Sequence, residues 1–124
     1  PLHAVGLQAH LKPQWGYDDD AFLGFIEKLS SRGLEIYLTE LDVDDEAYPE
    51  NVAERDRRVA DRYANFLRAA LKSPAVKLVV TWQLADRYTF LRNPDALRTR
   101  KARFAARPLP FDDDLAPKPA ARAA

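Results

Sequence analysis

Residues 37–43 read Tyr-Leu-Thr-Glu-Leu-Asp-Val, an apolar strand pattern that carries two carboxylates, Glu40 and Asp42, two positions apart. Alternate residues of a strand share a face, so Glu40 and Asp42 are expected to point the same way, together with Ile36 and Leu38. Burying an ionised carboxylate without a partner is costly. The pair must therefore sit at a wet strand end, meet a donor, or titrate away from the usual carboxylate range. The chain has two histidines, His3 and His10, and His10 closes another strand-like segment two residues after Gln8. A histidine beside two carboxylates can bond to both, orienting one and holding it ionised. A third apolar run ends in Trp82 and Gln83, and an indole is a flat apolar platform of the kind on which sugar rings stack. A carboxylate nucleophile with an aromatic floor points to glycoside cleavage. Taken singly, each side chain has a structural reading as a helix cap, an ion-pair partner or a core aromatic. Their common position at strand ends is what argues for a site.

The elements that must position them follow from periodicity. Leu2 to His10 alternates and reads as a strand, and "KPQWGYDDD" as a loop. Asp19 or Asp20 is expected to cap a helix whose stripe is Phe22, Phe25, Ile26 and Leu29, with Gly33 past its end. Glu35 to Val43 is the second strand. Asn51, followed three residues later by Glu54, resembles a capping box. The helix behind it carries Val52, Val59, Tyr63, Phe66, Leu67, Ala70 and Leu71 on one face. Glu54, Asp56, Arg57, Arg58, Asp61 and Arg62 form the opposite face, expected to be solvated. Val76 to Leu84 is the third strand. Helical pattern returns only in "PDALRTRKARFAA", and the prolines of "RPLPFDDDLAPKPA" demand extended backbone. This alternation without hairpin signals predicts an α/β fold with parallel strands joined by crossover helices. The carboxyl ends of such strands are where α/β sites are built, and parity would put Gln8 with His10, and Trp82 with Val80 and Leu78, on the inward side of a closed barrel.

The 124 residues are enough for one core. Three parallel strands nevertheless leave sheet faces to cover, so the pattern suits part of something larger. A start at Pro1 without Met likewise suggests a processed or excised piece. Nineteen basic and nineteen acidic residues cancel, which leaves no electrostatic footprint for nucleic acid or an anionic membrane. No apolar run approaches the roughly 18 residues of a membrane span, and residues 1–124 show no basic-then-apolar leader pattern. Without cysteine there is no thiolate metal site, and two histidines leave little for another; no metal or cofactor is implied.

"GLQAH", "LTELDV", "VTWQLADRYTFL" and "RPLPFDDDLAPKPA", in this order, closely resemble the C-terminal part of family 10 glycoside hydrolases, the retaining endo-1,4-β-xylanases. The resemblance implies a partial (β/α)8 barrel, roughly strands 6 to 8 with their helices, over residues 1–124. It implies Glu40 as nucleophile, His10 and Asp42 as its supporting partners, and Gln8, Trp82, Gln83 and Phe90 as residues lining the sugar site. The implied ligand is β-1,4-linked xylan or a xylo-oligosaccharide, and secretion or a periplasmic location is expected. Gln83 stands where the family usually has Gly, and Phe90 where a second Trp is usual. The family's acid/base Glu lies in an Asn-Glu pair on the fourth strand, and this chain contains no Asn-Glu dipeptide. The chain is thus expected to need a complementary N-terminal half-barrel for activity. A noncatalytic carbohydrate-binding or self-associating half-barrel is the alternative.

Overall fold

A computed structural model describes residues 1–123. The chain runs β1 (Ala4–Leu7), β2 (His10–Leu11), α1 (Asp19–Ser30), β3 (Glu35–Val43), α2 (Val52–Ala70), β4 (Val76–Thr81) and α3 (Pro94–Thr99). All strand pairings are parallel: β3 is central, with β1 and then β2 on one side and β4 on the other. The expected first strand is thus one extended segment interrupted at Ala9, whose φ is +66°. The third strand stops at Thr81, before Trp82.

Register explains how carboxylates end an apolar strand. Leu7 pairs with Leu38 and His10 with Asp42, so three steps on one edge match four on β3. On the other edge, Val79 pairs with Leu38 and Thr81 with Leu41. Both neighbours therefore skip one residue of β3, a bulge around Thr39 and Glu40. Ile36 and Leu38 before the bulge, and Leu41 and Val43 after it, all lie in the core beneath α2 with Val59, Tyr63 and Phe66. The expectation that Glu40 and Asp42 share a face with Ile36 and Leu38 is overturned. The extra residue switches the strand's parity and turns both carboxylates away from the core side. On that opposite face of β4, Leu78 and Val80 are exposed together with Trp82, as alternation predicts.

The helices follow their stripes, with local differences. The cap of α1 is Asp18, which accepts from the Ala21 amide at 2.9 Å, rather than Asp19 or Asp20. In a run of three aspartates the side chains are equivalent, and the path of the chain selects one. Asn51 caps α2 by accepting from the Glu54 amide at 3.0 Å, while the Glu54 carboxylate turns to Arg58 at 2.7 Å. Phe66, Ile26 and Val59 are buried, whereas Phe25, Val52 and Leu71, at the edges of their stripes, stay exposed. Asp56 and its neighbour Arg55 are buried, contrary to a solvated polar face there. The C-terminal segment lies across the start of α2: Arg107 clamps Asp56 with bonds of 2.9 and 2.7 Å, and Lys118 lies 3.4 Å from it. The helix expected across residues 94–106 ends at Thr99. From there the chain extends so that Arg100 can reach Asp44 at 2.5 Å and Asp45 at 3.1 Å.

Candidate active site

His10, Glu40 and Asp42 meet at the carboxyl end of the sheet. His10 Nδ1 lies 2.9 Å from Asp42 Oδ1 and Nε2 lies 3.0 Å from Glu40 Oε2. The pairing of β2 with β3 sets this geometry by placing His10 directly beside Asp42. The bulge then brings Glu40 within reach of the far ring nitrogen. Backbone bonds from the Glu40 amide to the Gln8 carbonyl (2.9 Å) and from the Trp82 amide to the Leu41 carbonyl (3.0 Å) tie all three strand ends together.

The two carboxylates differ in environment. The Asp42 side chain is 2 % exposed and that of Glu40 22 %, so Glu40 is the one a ligand can reach. Burial pushes the Asp42 carboxyl up to about 6, against the opposing pull of its His10 hydrogen bond. Its Oδ2 has no hydrogen-bond partner among the described residues. Two hydrogen bonds on one imidazole require two protons. An imidazolium supplies both; with a neutral ring, one carboxyl must carry the second. Asp42 is the carboxyl that burial favours for protonation, which leaves Glu40 as the exposed acceptor.

Two aromatic rings frame the histidine edge-on: Trp82 at a centroid distance of 6.2 Å and Phe90 at 5.4 Å. The structure therefore brings His10, Glu40, Asp42, Trp82 and Phe90 together. Gln8 joins them through its backbone carbonyl, and its side chain is exposed. Gln83 is exposed beside Trp82 with φ +81°. This left-handed conformation is one that favours glycine.

Other acids nearby are committed elsewhere. Glu46 accepts from the backbone amides of Lys101 and Ala102. Burial works to raise its pKa, but these bonds with Arg100 and Lys101 outweigh it and hold the carboxyl below the usual range. It is a poor proton donor. Among the described residues no group of three or more His, Cys, Asp or Glu side chains is arranged to hold a metal ion. Sequence reasoning missed Lys12 and Trp15, which line a cavity beside Phe90. The available signal was a tryptophan in a loop five residues past His10.

The sequence profile of glycosyl hydrolase family 10 matches residues 1–124. The chain belongs to this family. It is 26 % identical over 121 residues to endo-1,4-beta-xylanase B of Thermotoga neapolitana, covering 96 % of this chain and 32 % of that protein. Among solved structures it is similar to native xylanase 10B from Thermotoga maritima, with a TM-score of 0.79 and 29 % identity over 99 % of this chain and 35 % of that one. It is equally similar to xylanase 10B from Thermotoga petrophila RKU-1 in complex with xylobiose, with a TM-score of 0.79 and 27 % identity over 97 % of this chain and 34 % of that one. The chain thus spans about a third of the length of these family 10 relatives, and its mixed α/β architecture with a parallel sheet is similar to theirs.

Proposed function

We propose that residues 1–124 are the C-terminal part of a retaining endo-1,4-β-xylanase, strands 6 to 8 of a (β/α)8 barrel, and carry the nucleophile half of its active site. The observation that carries this reading is His10 bonded to both Glu40 and Asp42 between Trp82 and Phe90. In this reading Glu40 attacks the anomeric carbon of a xylosyl unit, and the bond to the leaving oxygen breaks as that oxygen takes a proton from an acid. Water then attacks the same carbon, gives a proton to that residue acting as base, and releases Glu40. His10 and Asp42 hold Glu40 in line, while Trp82, Phe90, Gln8 and Gln83 line the sugar site.

Retention requires a second carboxyl about 5 to 5.5 Å from the nucleophile. Glu46, bound as an anion by two backbone amides, does not fit that role, so the acid/base comes from the remainder of a barrel. The test is xylan hydrolysis by the chain alone and mixed with an N-terminal half-barrel from a family member. Activity is expected only in the mixture and is lost in Glu40→Gln. Robust hydrolysis by the chain alone, abolished by the same substitution, would refute the split-site reading.

Exposed Leu78, Val80 and Leu84 favour a second reading, a half-barrel that covers this face by self-association. Sedimentation decides it: a strictly monomeric folded species rules out pairing.

A further inference from the structure

The strand that carries Glu40 and Asp42 runs on into two further aspartates, Asp44 and Asp45. The Asp44 amide donates to the carbonyl of Leu11 at 2.8 Å. Leu11 directly follows His10, so the bond that holds Asp44 also holds the strand end that presents the imidazole. The Asp44 carboxylate meets Arg100, whose two terminal nitrogens reach Asp44 Oδ1 at 2.5 Å and Asp45 Oδ1 at 3.1 Å. The Arg100 side chain is 4 % exposed. It follows α3, and a few residues before that helix stands Phe90, whose ring packs against His10. Residues 90–100 therefore act on His10 twice, by a ring directly and by a charge through Asp44.

That charge has a short path to the site. Asp44 is two residues from Asp42, and its negative charge works to keep a proton on the Asp42 carboxyl. The other groups that face Asp42 are His10, Glu40 and, from α2, the phenol of Tyr63. Arg55 faces Asp45 from α2 at 3.1 Å, and the Arg107 guanidinium is held by Asp56. Arg100 is thus the cation bonded to Asp44 among the described residues. A buried carboxylate that loses its cation acts at full charge on its neighbours.

We propose that Arg100 is a positioning residue for Glu40: by neutralising Asp44 it sets where the proton shared by His10 and Asp42 resides, and so which hydrogen bond His10 offers to the nucleophile. That role rests on the xylan reading above. The charge coupling behind it is measured without substrate, so the two fail separately.

The test is a pH titration of the histidine ring signals by NMR in the 124-residue chain, with the exposed His3 at the opposite end of the sheet as internal control. Arg100→Gln leaves Asp44 without its cation and is expected to move the His10 midpoint up by about half a pH unit. Asp44→Asn removes the negative charge and moves the midpoint down by a similar amount. The double variant returns it toward the native value, Arg100→Lys leaves it there, and His3 stays fixed throughout. A purely structural contact would move both single variants the same way or neither, and either pattern overturns the proposal. If Arg100→Gln does not fold, an unmoved midpoint in Asp44→Asn or a moved one in Arg100→Lys overturns it instead. In the chain complemented with an N-terminal half-barrel, Arg100→Gln is expected to lower kcat and to shift its pH profile in the direction of the His10 midpoint; an unshifted profile refutes the positioning role. If the complemented native chain is inactive, the xylan reading falls and the positioning role with it, whatever the titration shows.

Discussion

Two clusters of buried carboxylates lie within a few residues of each other and behave as opposites. Asp44 and Asp45, two and three positions past Asp42, belong to a network with Asp56 and Asp86 in which four carboxylates face Arg55, Arg100, Arg107 and Lys118. Asp86 is fully buried and accepts from Lys118 Nζ at 2.9 Å and the Leu109 amide at 3.0 Å. Burial works against the charges of Asp45, Asp56 and Asp86: at Asp56, Arg107 and Lys118 outweigh it and hold the pKa low, whereas at Asp45 and Asp86 it prevails over their cations and raises the pKa. At His10 the partners differ: two carboxylates share one imidazole in place of any Arg or Lys among the described residues, one oxygen of Asp42 has no partner, and the flanking backbone is left-handed at Ala9 and Gln83. The difference teaches that burial alone does not distinguish a structural acid from a functional one. Where guanidinium and ammonium groups face the carboxylates, the cluster fastens the tail to α2. Where they share only an imidazole, the cluster is the candidate site.

The strongest way to break this comparison is Asp86→Ala. It takes the nearer of two carboxylates from buried Lys118, leaving Asp56 at 3.4 Å, and unpairs the Leu109 amide; it is expected to cost about 3 kcal/mol in chemical denaturation. A loss below 1 kcal/mol would mean the network is not structural.

Asp42→Asn sharpens it. The folded-state pKa of Asp42 is raised from 3.8 to about 6, so between those values the native state holds a proton that the unfolded chain has released. Asp42 thus adds stability below about pH 4 that is lost as pH rises through about 6, roughly 2 to 3 kcal/mol in all. Comparing denaturation midpoints of the native and Asp42→Asn proteins across this range should show that slope only in the native one; parallel curves would contradict the assignment.

The smallest expected effect is Gln83→Gly. It relieves the left-handed strain and is expected to stabilise the chain by up to about 1 kcal/mol in thermal unfolding. Destabilisation would mean that the Gln83 side chain makes contacts that outweigh the strain.

Much of this was legible in the sequence, and the failures have physical causes. The stripe from Phe22 to Leu29 and that from Val59 to Ala70 fixed the two long helices, because amphipathic periodicity is local. The tandem order of elements implied parallel strands. The unusual residues at three strand ends marked the candidate site, and the expected pairing of Asp42 with His10 is present at 2.9 Å. The Glu40 face was misassigned because a bulge is a relation between strands, and no spacing within residues 35–43 reveals it. Asp56 was misread as solvated because its partners, Arg107 and Lys118, lie more than 50 residues away.

The sequence by itself determined which segments become helix or strand and which side chains are available for chemistry, since both depend on residue type and near neighbours. Only the tertiary structure decided which carboxylates became anchors and which lie in the candidate site. Parallel pairing and the returning tail set the distance from each acid to its nearest cation, and a carboxylate's charge and reactivity follow from that distance.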